Sequence, residues 1–95
     1  MIKNFADKPT EELFNRQIVR KLPPAILESA YRKLLLIDAA DILDDLRIPP
    51  GNRLEKLSED LSGKYSVRIN DQWRIIFGWK ENNAYEVEII DYHKG

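Results

Sequence analysis

The sequence predicts an α+β fold in which two to three N-terminal helices pack on one face of a small antiparallel sheet. Apolar residues recur at helical spacing in the first half of the chain, whereas they alternate with polar residues in the second half. A chain of 95 residues is long enough to form one hydrophobic core. We therefore expect residues 1–95 to make a single domain.

The first segment predicts a short strand followed by a helix. The strand is expected in IKNF, residues 2 to 5. Thr10 is the expected N-cap of the helix, because a hydroxyl oxygen can accept a hydrogen bond from a free amide of the first turn. A pair of glutamates follows, which suits the positive end of the helix dipole. The residues of this helix that we expect to face the core are Leu13, Phe14 and Ile18.

A second helix is predicted from Ala25, after the proline pair Pro23 and Pro24, since proline is tolerated only in the first turn of a helix. Its apolar residues fall at helical spacing: Leu27, Ala30, Tyr31, Leu34 and Ile37. Asp38 is the expected cap of a further short helix through Leu46. The PPG sequence at 49 to 51 then ends the helical region.

Three strands with short connections are predicted in the second half, as KYSVRIN, WRIIFGW and AYEVEIIDY. The turns between them are expected at residues 70–72 and 81–83. The alternation predicts that helices cover the face that carries Val67, Ile69, Ile75, Phe77, Val87 and Ile89. In the last strand Tyr85 alternates in step with Val87 and Ile89. Trp73 and Trp79 share this parity, which favours a role in core packing over stacking on a base.

The same period of two places Arg68, Asn70 and Arg74 on the opposite face, which we expect to be uncovered, and Tyr92 on the parity of that face. His93, the one histidine of the sequence, follows at the end of the last strand. Polar residues on an open sheet face often serve only to solvate it. The convergence of arginines with a tyrosine nevertheless makes this end of the sheet the candidate site.

Charge and composition exclude several classes of function. The net charge is −1 and cysteine is absent, so the sequence favours a reducing compartment, taken as the cytoplasm, and disfavours direct DNA binding. No segment approaches the roughly 20 apolar residues that cross a bilayer. A local basic patch is expected in the middle of the chain, from Arg47 to Arg74. The residues of this region expected to bind RNA are Arg53, Lys56, Lys64 and Asn70.

The chemistry that suits these residues is cleavage of RNA by attack of the ribose 2′-hydroxyl on its own phosphate. Arg68 and Arg74 offer permanent charges to the phosphate, and His93 can transfer a proton near neutral pH. No metal site or cofactor motif is evident in the sequence. One imidazole does not fill both proton-transfer roles, so a second group is needed, and spacing leaves Tyr92, Asp91 and Glu55 open.

Several stretches resemble the HigB branch of the RelE-like toxins of bacterial toxin–antitoxin systems. They are MIKNF at the start, LIDAADILDDLRIPPGNRLE at 36–55, PPGNRLEKL at 49–57, SVRINDQWRIIF at 66–77 and VEIIDYH at 87–93. The resemblance implies a metal-independent toxin that cuts messenger RNA in the ribosomal A site. It also implies neutralisation by a HigA-like helix-turn-helix antitoxin, through which any contact with DNA would be indirect.

The resemblance also implies roles for particular residues. The terminal DYH corresponds to Asp91, Tyr92 and His93, and the arginines of the hairpin correspond to Arg68 and Arg74. Some HigB toxins carry a histidine and a lysine in the loop before the hairpin, where this chain has Glu55 and Ser58. The alternative hypothesis is a catalytically silent module that keeps the fold and binds an antitoxin-like repressor.

Overall fold

The fold was analysed in a computed structural model, which describes residues 1–58 and 63–92. Within these residues the α-helices are α1, Lys8–Phe14, and α2, Leu27–Ala39, and single 3₁₀ turns occupy Pro24–Ile26, Leu43–Arg47 and Pro50–Asn52. The strands are β1, Glu55–Lys56, β2, Lys64–Arg68, β3, Trp73–Lys80, and β4, Asn83–Asp91. They form an antiparallel sheet in the order β1-β2-β3-β4. The predicted α+β class is confirmed.

Helix α2 packs on the sheet through the residues expected from its spacing. Ala30, Leu34 and Ile37 are completely buried, and they join a core cluster that includes Val67, Ile75, Phe77, Val87 and Ile89 from the sheet. Trp73 and Trp79 are partly buried against the same cluster. The predictions for the core side of the sheet are thus confirmed at these positions.

The start of α1 differs from the prediction. Asp7 is the N-cap, and its carboxylate accepts a hydrogen bond of 3.1 Å from the amide of Thr10. Pro9 is tolerated in the first turn of the helix, because a backbone N–H at that position would have no acceptor within the helix. The helix therefore begins before Thr10. Thr10 is instead completely buried, and its hydroxyl oxygen accepts a hydrogen bond of 2.9 Å from the amide of Ile89. Ile18 lies beyond the helix and is 75% exposed, so its predicted place in the core is wrong.

Asp38 does not cap the following helical turn. It lies inside α2, and its carboxylate accepts a hydrogen bond of 2.9 Å from the amide of Ile2. Asp45 holds the start of the Leu43–Arg47 turn instead, accepting from the amides of Asp41 and Ile42 at 2.9 and 3.2 Å. An aspartate can bind the free amides at the start of a turn from a position before it or within it. The sequence spacing did not show whether Asp38 or Asp45 does so here.

The N-terminal residues extend the sheet at the edge of β4 without forming a regular strand. Ile2 and Phe5 make isolated parallel bridges to Ala84 and Val87. The amide of Lys3 donates to the carbonyl of Ala84 at 2.8 Å. The predicted extended segment at residues 2–5 therefore covers the outer edge of β4.

A β-bulge in β4 changes the predicted parity of Tyr85. Ile76 pairs with Glu88, whereas Gly78 pairs with Tyr85, so β4 carries one extra residue opposite Phe77. Glu86 has a φ of 51°, in the left-handed region. Before the bulge the core position belongs to Ala84, which is completely buried. The prediction that Tyr85 shares the face of Val87 is therefore wrong.

The second face of the sheet is not open along its length. Ser66 is completely buried, Ile76 is 4% exposed and Arg74 is 9% exposed. Ser66 and Ile76 are register partners on β2 and β3. The expectation of an uncovered face is thus wrong at these positions. Arg74 contacts Glu55 of β1 and the carbonyl of Arg53 in the turn before it.

Candidate active site

An open cleft of about 440 Å³ lies on this second face. Strand β1, the preceding turn, the β2–β3 hairpin and the end of β4 contribute to its walls. Its lining residues among those described are Arg53, Glu55, Arg68, Asn70, Asp71, Arg74 and Tyr92. The cleft brings together residues that are up to 39 positions apart in the sequence, and a phosphate group in it would meet several guanidinium groups at once.

The hairpin register places the first pair of cations. Arg68 at the end of β2 is the direct partner of Arg74 near the start of β3. Neighbouring side chains on one face of an antiparallel pair lie only about 5 Å apart at Cβ. Two guanidinium groups that extend from neighbouring positions on one face repel each other, so a nearby acceptor or an anion stabilises the pair.

Arg74 contacts three oxygen atoms in the cleft through one nitrogen of its guanidinium group. Its Nη1 atom lies 2.9 Å from the Oε1 atom of Glu55 and donates a hydrogen bond of 2.7 Å to the hydroxyl of Ser66. The same nitrogen contacts the carbonyl oxygen of Arg53 at 3.4 Å. With 11% of its side chain exposed, Arg74 has lost much of its freedom before any substrate arrives.

Tyr92 forms another wall of the cleft. The guanidinium carbon of Arg74 lies 5.1 Å from the centroid of the Tyr92 ring, within the range of a cation–π contact. The amide of Tyr92 donates to the carbonyl of Gln72 at 2.6 Å, which ties the end of β4 to the hairpin tip. Tyr92 therefore has a defined position beside Arg74.

Arg68 lies nearer to solvent than Arg74. It forms an ion pair with Asp71, whose side chain is 98% exposed. An exposed pair of this kind contributes only about 0 to 1 kcal/mol, because water competes for both groups. An incoming phosphate can therefore replace Asp71 as the partner of Arg68 at little cost.

The predicted RNA-binding residues are divided by the structure. Arg53 and Asn70 line the cleft, but the side-chain oxygen of Asn70 already accepts from the amides of Gln72 and Trp73, both at 2.8 Å. Lys56 is exposed on β1 and does not line the cleft. Lys64 lies at the opposite end of β2 from Arg68 and contacts Glu86 at 3.3 Å. Of these four residues, only Arg53 and Asn70 line the cleft.

The groups left open as a second proton-transfer partner also differ in position. Glu55 lines the cleft, with 53% of its side chain exposed. The carboxylate of Asp91 accepts a hydrogen bond of 3.0 Å from Gln72 at the hairpin tip, and Asp91 does not line the cleft. Ser58, which stands where some HigB toxins carry a histidine or a lysine, is exposed and does not line the cleft either. His93 lies outside the described residues.

A buried polar connection behind the cleft was not predicted. The amide group of Asn52 is completely buried, and its oxygen accepts a hydrogen bond from the ammonium group of Lys33 on α2. Burial, and then the positive charge of Arg68, lower the pKa of Lys33 below its ordinary value. The sequence signal for this connection was only a polar residue directly after the PPG turn, which gives no indication of burial.

The described residues contain no cluster of three or more groups suited to hold a metal ion. Nor does any helix in residues 1–58 and 63–92 have the length and apolar character required to cross a membrane.

Comparison with known proteins gives a consistent result. A family profile described as a HigB-like toxin, the RelE-like toxin of the type II toxin-antitoxin system HigB, matches residues 3–93. The curated protein "Toxin HigB-1" of Vibrio cholerae is 42% identical over 95 residues, which is 99% of each chain. "Endoribonuclease HigB" of Proteus vulgaris is 29% identical over 93 residues, covering 98% of this chain and 100% of that protein.

A solved structure shares the fold at lower sequence identity. A chain of the YoeB-YefM complex from Staphylococcus aureus superposes with a TM-score of 0.61 at 21% identity, with 99% of both chains covered. At this identity the similarity supports the architecture alone.

Proposed function

Because the chain belongs to the HigB family of RelE-like toxins of type II toxin–antitoxin systems, we propose that it is a ribosome-dependent endoribonuclease. In this proposal it cuts messenger RNA in the ribosomal A site without a metal ion and so inhibits translation. The relative in Proteus vulgaris is named an endoribonuclease. The observation in this chain that carries the proposal is Arg74, a nearly buried cation held by oxygen atoms at the floor of an arginine-lined cleft.

The proposed reaction begins with the scissile phosphate between Arg68 and Arg74. A base removes the proton of the ribose 2′-hydroxyl, and the 2′-oxygen then forms a bond to phosphorus. The bond from phosphorus to the 5′-oxygen breaks, and an acid gives that oxygen a proton. The products are a 2′,3′-cyclic phosphate and a 5′-hydroxyl. The arginines stabilise the extra negative charge of the phosphorane between these steps.

Glu55 is the group in the cleft that we assign as the base. Its side chain is half exposed, and its Oε1 atom lies 2.9 Å from the guanidinium group that would hold the phosphate. Asp91 is a poorer candidate because Gln72 holds its carboxylate at the hairpin tip. We assign His93 as the acid, and Tyr92 as the residue that positions the substrate beside Arg74.

The proposal extends to partners and location. A HigA-like helix-turn-helix antitoxin is the expected inhibitor, and contact with DNA would occur only through it. The substrate is messenger RNA bound to the ribosome. These partners, and the family's type II toxin–antitoxin system, support a cytoplasmic location.

The test is cleavage of a messenger in purified initiated ribosomes, read by primer extension. The parent should cut inside translated codons, whereas Arg74→Ala should cut about 10²- to 10³-fold more slowly, as when a preorganised donor worth roughly 3 to 4 kcal/mol is lost. Arg47→Ala is the matched control, since Arg47 is exposed and pairs with Asp44 away from the cleft. Circular dichroism establishes that each variant is folded.

His93 is tested in the same assay. His93→Gln should lower the rate by about 10²- to 10⁴-fold if the imidazole transfers a proton, whereas deletion of Lys94 and Gly95 should have a much smaller effect. A folded, ribosome-bound parent that leaves the messenger intact, and whose induction does not slow growth, would contradict the proposal and favour the silent interaction module.

A further inference from the structure

Asn52 connects separate backbone segments from a completely buried position. Its Nδ2 atom donates hydrogen bonds to the carbonyl oxygens of Leu46 and Ile48, at 3.1 and 3.2 Å. The backbone amide of Asn52 donates to the carbonyl of Pro49 at 2.9 Å. The side chain thus holds the end of one 3₁₀ turn against the next, and it fixes the path of the chain into β1.

The residue that follows Asn52 enters the cleft with a constrained backbone. Arg53 has φ and ψ angles of 45° and 56°, in the left-handed region, and its amide donates to the carbonyl of Pro50 at 3.1 Å. A residue with a Cβ atom adopts this conformation at a cost of roughly 1 to 2 kcal/mol. In this conformation the carbonyl of Arg53 reaches Nη1 of Arg74, and Glu55 follows two residues later at the same guanidinium group.

Lys33 links this turn to the helix layer. Its ammonium group donates to the side-chain oxygen of Asn52, which leaves the nitrogen of that amide to serve the two carbonyl groups. An amide with both ends bonded in this way has one orientation. The position of the turn is therefore coupled to α2, which is itself anchored in the core through Leu34 and Ile37.

We propose that Asn52 and Lys33 are positioning residues, which hold the Arg53 carbonyl and the Glu55 carboxylate against Arg74 and so keep the cleft in its reactive geometry. Neither residue lines the cleft, so neither is expected to touch RNA. This inference rests on the proposed function for its catalytic consequence. Its structural part, the immobilisation of the Arg53 turn, stands independently of the reaction.

Lys33→Met tests the connection with little change in helix propensity or side-chain length. Arg32→Met is the matched control, because Arg32 is the neighbouring cation of α2 and pairs only with exposed Glu28 among the contacts found for it. Lys33→Met should lower kcat about 10-fold with KM changed less than about 2-fold, since misplaced groups slow the chemical step. Lys33→Arg, which keeps a donor for Asn52, should recover part of the loss.

Hydrogen exchange provides a reading that does not depend on RNA. The amides of Asn52 and Arg53, which donate to Pro49 and Pro50, should exchange at least about 5-fold faster in Lys33→Met than in the parent and in Arg32→Met. Asn52→Leu should show a larger increase. If that variant does not fold, the Lys33 variants still decide the question.

The outcomes separate the two proposals. A parent that cuts no RNA ends the proposed function, and the exchange rates alone then support or overturn the positioning role. If Lys33→Met raises KM as much as Arg32→Met does while kcat is unchanged, the lysine contributes only charge and the inference is wrong. Unchanged exchange at Asn52 and Arg53 in Lys33→Met would overturn it as well.

Discussion

Replacing Glu55 by glutamine should change the two kinetic constants in different ways. Glutamine keeps the size of the side chain and an oxygen that can accept from Arg74, but it removes the negative charge and the ability to take a proton. If Glu55 removes the proton of the 2′-hydroxyl, kcat should fall by about 10²- to 10⁴-fold. KM should fall a few-fold, because a carboxylate no longer repels the phosphate, an effect of about 1 kcal/mol for charges near 4 Å in water.

Stability should hardly change in this variant. The Glu55 side chain is 53% exposed and that of Arg74 only 11%, but the glutamine oxygen can still accept a hydrogen bond from Arg74, so the substitution should cost about 1 kcal/mol or less. The free energy of unfolding, measured by urea denaturation, should therefore stay within about 1 kcal/mol of the parent value. A fall in kcat without a change in the free energy of unfolding would show that the substitution affects the chemical step and not the fold.

The assay is steady-state cleavage of ribosome-bound messenger over a range of ribosome concentrations. Glu28→Gln is the matched control, since it is the same substitution at an exposed glutamate paired with an arginine, Arg32, outside the cleft. It should leave both constants unchanged. A folded Glu55→Gln protein with kcat within about 3-fold of the parent would show that Glu55 only neutralises Arg74, and the base would have to be another group.

Further predictions concern other parts of the molecule. Thr10→Val should lower the free energy of unfolding by about 1 to 3 kcal/mol, because the buried amide of Ile89 loses its acceptor; a valine variant as stable as the parent in urea would contradict this. Glu81→Asn should raise stability by about 0.5 kcal/mol, because position 81 has a φ of 51° and asparagine tolerates that region better; thermal unfolding should show a higher Tm, and a lower Tm would count against the turn geometry. The lowered pKa of Lys33 means that the unfolded chain holds its proton to higher pH than the folded protein. The parent should therefore gain stability relative to Lys33→Met as pH rises from the folded pKa toward 10.5, in urea titrations at about pH 7 and about pH 10; an equal difference at both values would refute it.

The sequence alone determined the features that depend on local periodicity. The helical spacing of Ala30, Leu34 and Ile37 predicted the face of α2 that lies in the core. The period of two in the hairpin predicted that Arg68 and Arg74 share a face, because side chains of a strand alternate by geometry whatever the rest of the fold does. The motifs that resemble HigB toxins predicted the family, which the comparisons confirm.

Features that depend on which distant residues meet were decided by the tertiary structure. Thr10 is a residue type that often caps helices, but its hydroxyl oxygen accepts a hydrogen bond from the amide of Ile89, 79 positions away. The bulge at Glu86 reversed the faces of Ala84 and Tyr85, since one extra residue shifts a strand's parity and no local pattern marks its place.

The same division holds in the candidate site. The sequence supplied Arg74 and Tyr92, while Glu55 was one of three open alternatives and Asn52 was not predicted. Glu55 is 19 residues from Arg74 in the chain, and only the pairing of β1 with β2 brings its carboxylate to the guanidinium group. Asn52 is a polar residue in a proline-rich turn, which as a sequence predicts exposure. Its burial depends on Lys33 and on the carbonyl groups of Leu46 and Ile48, which meet it only when the turn packs against α2.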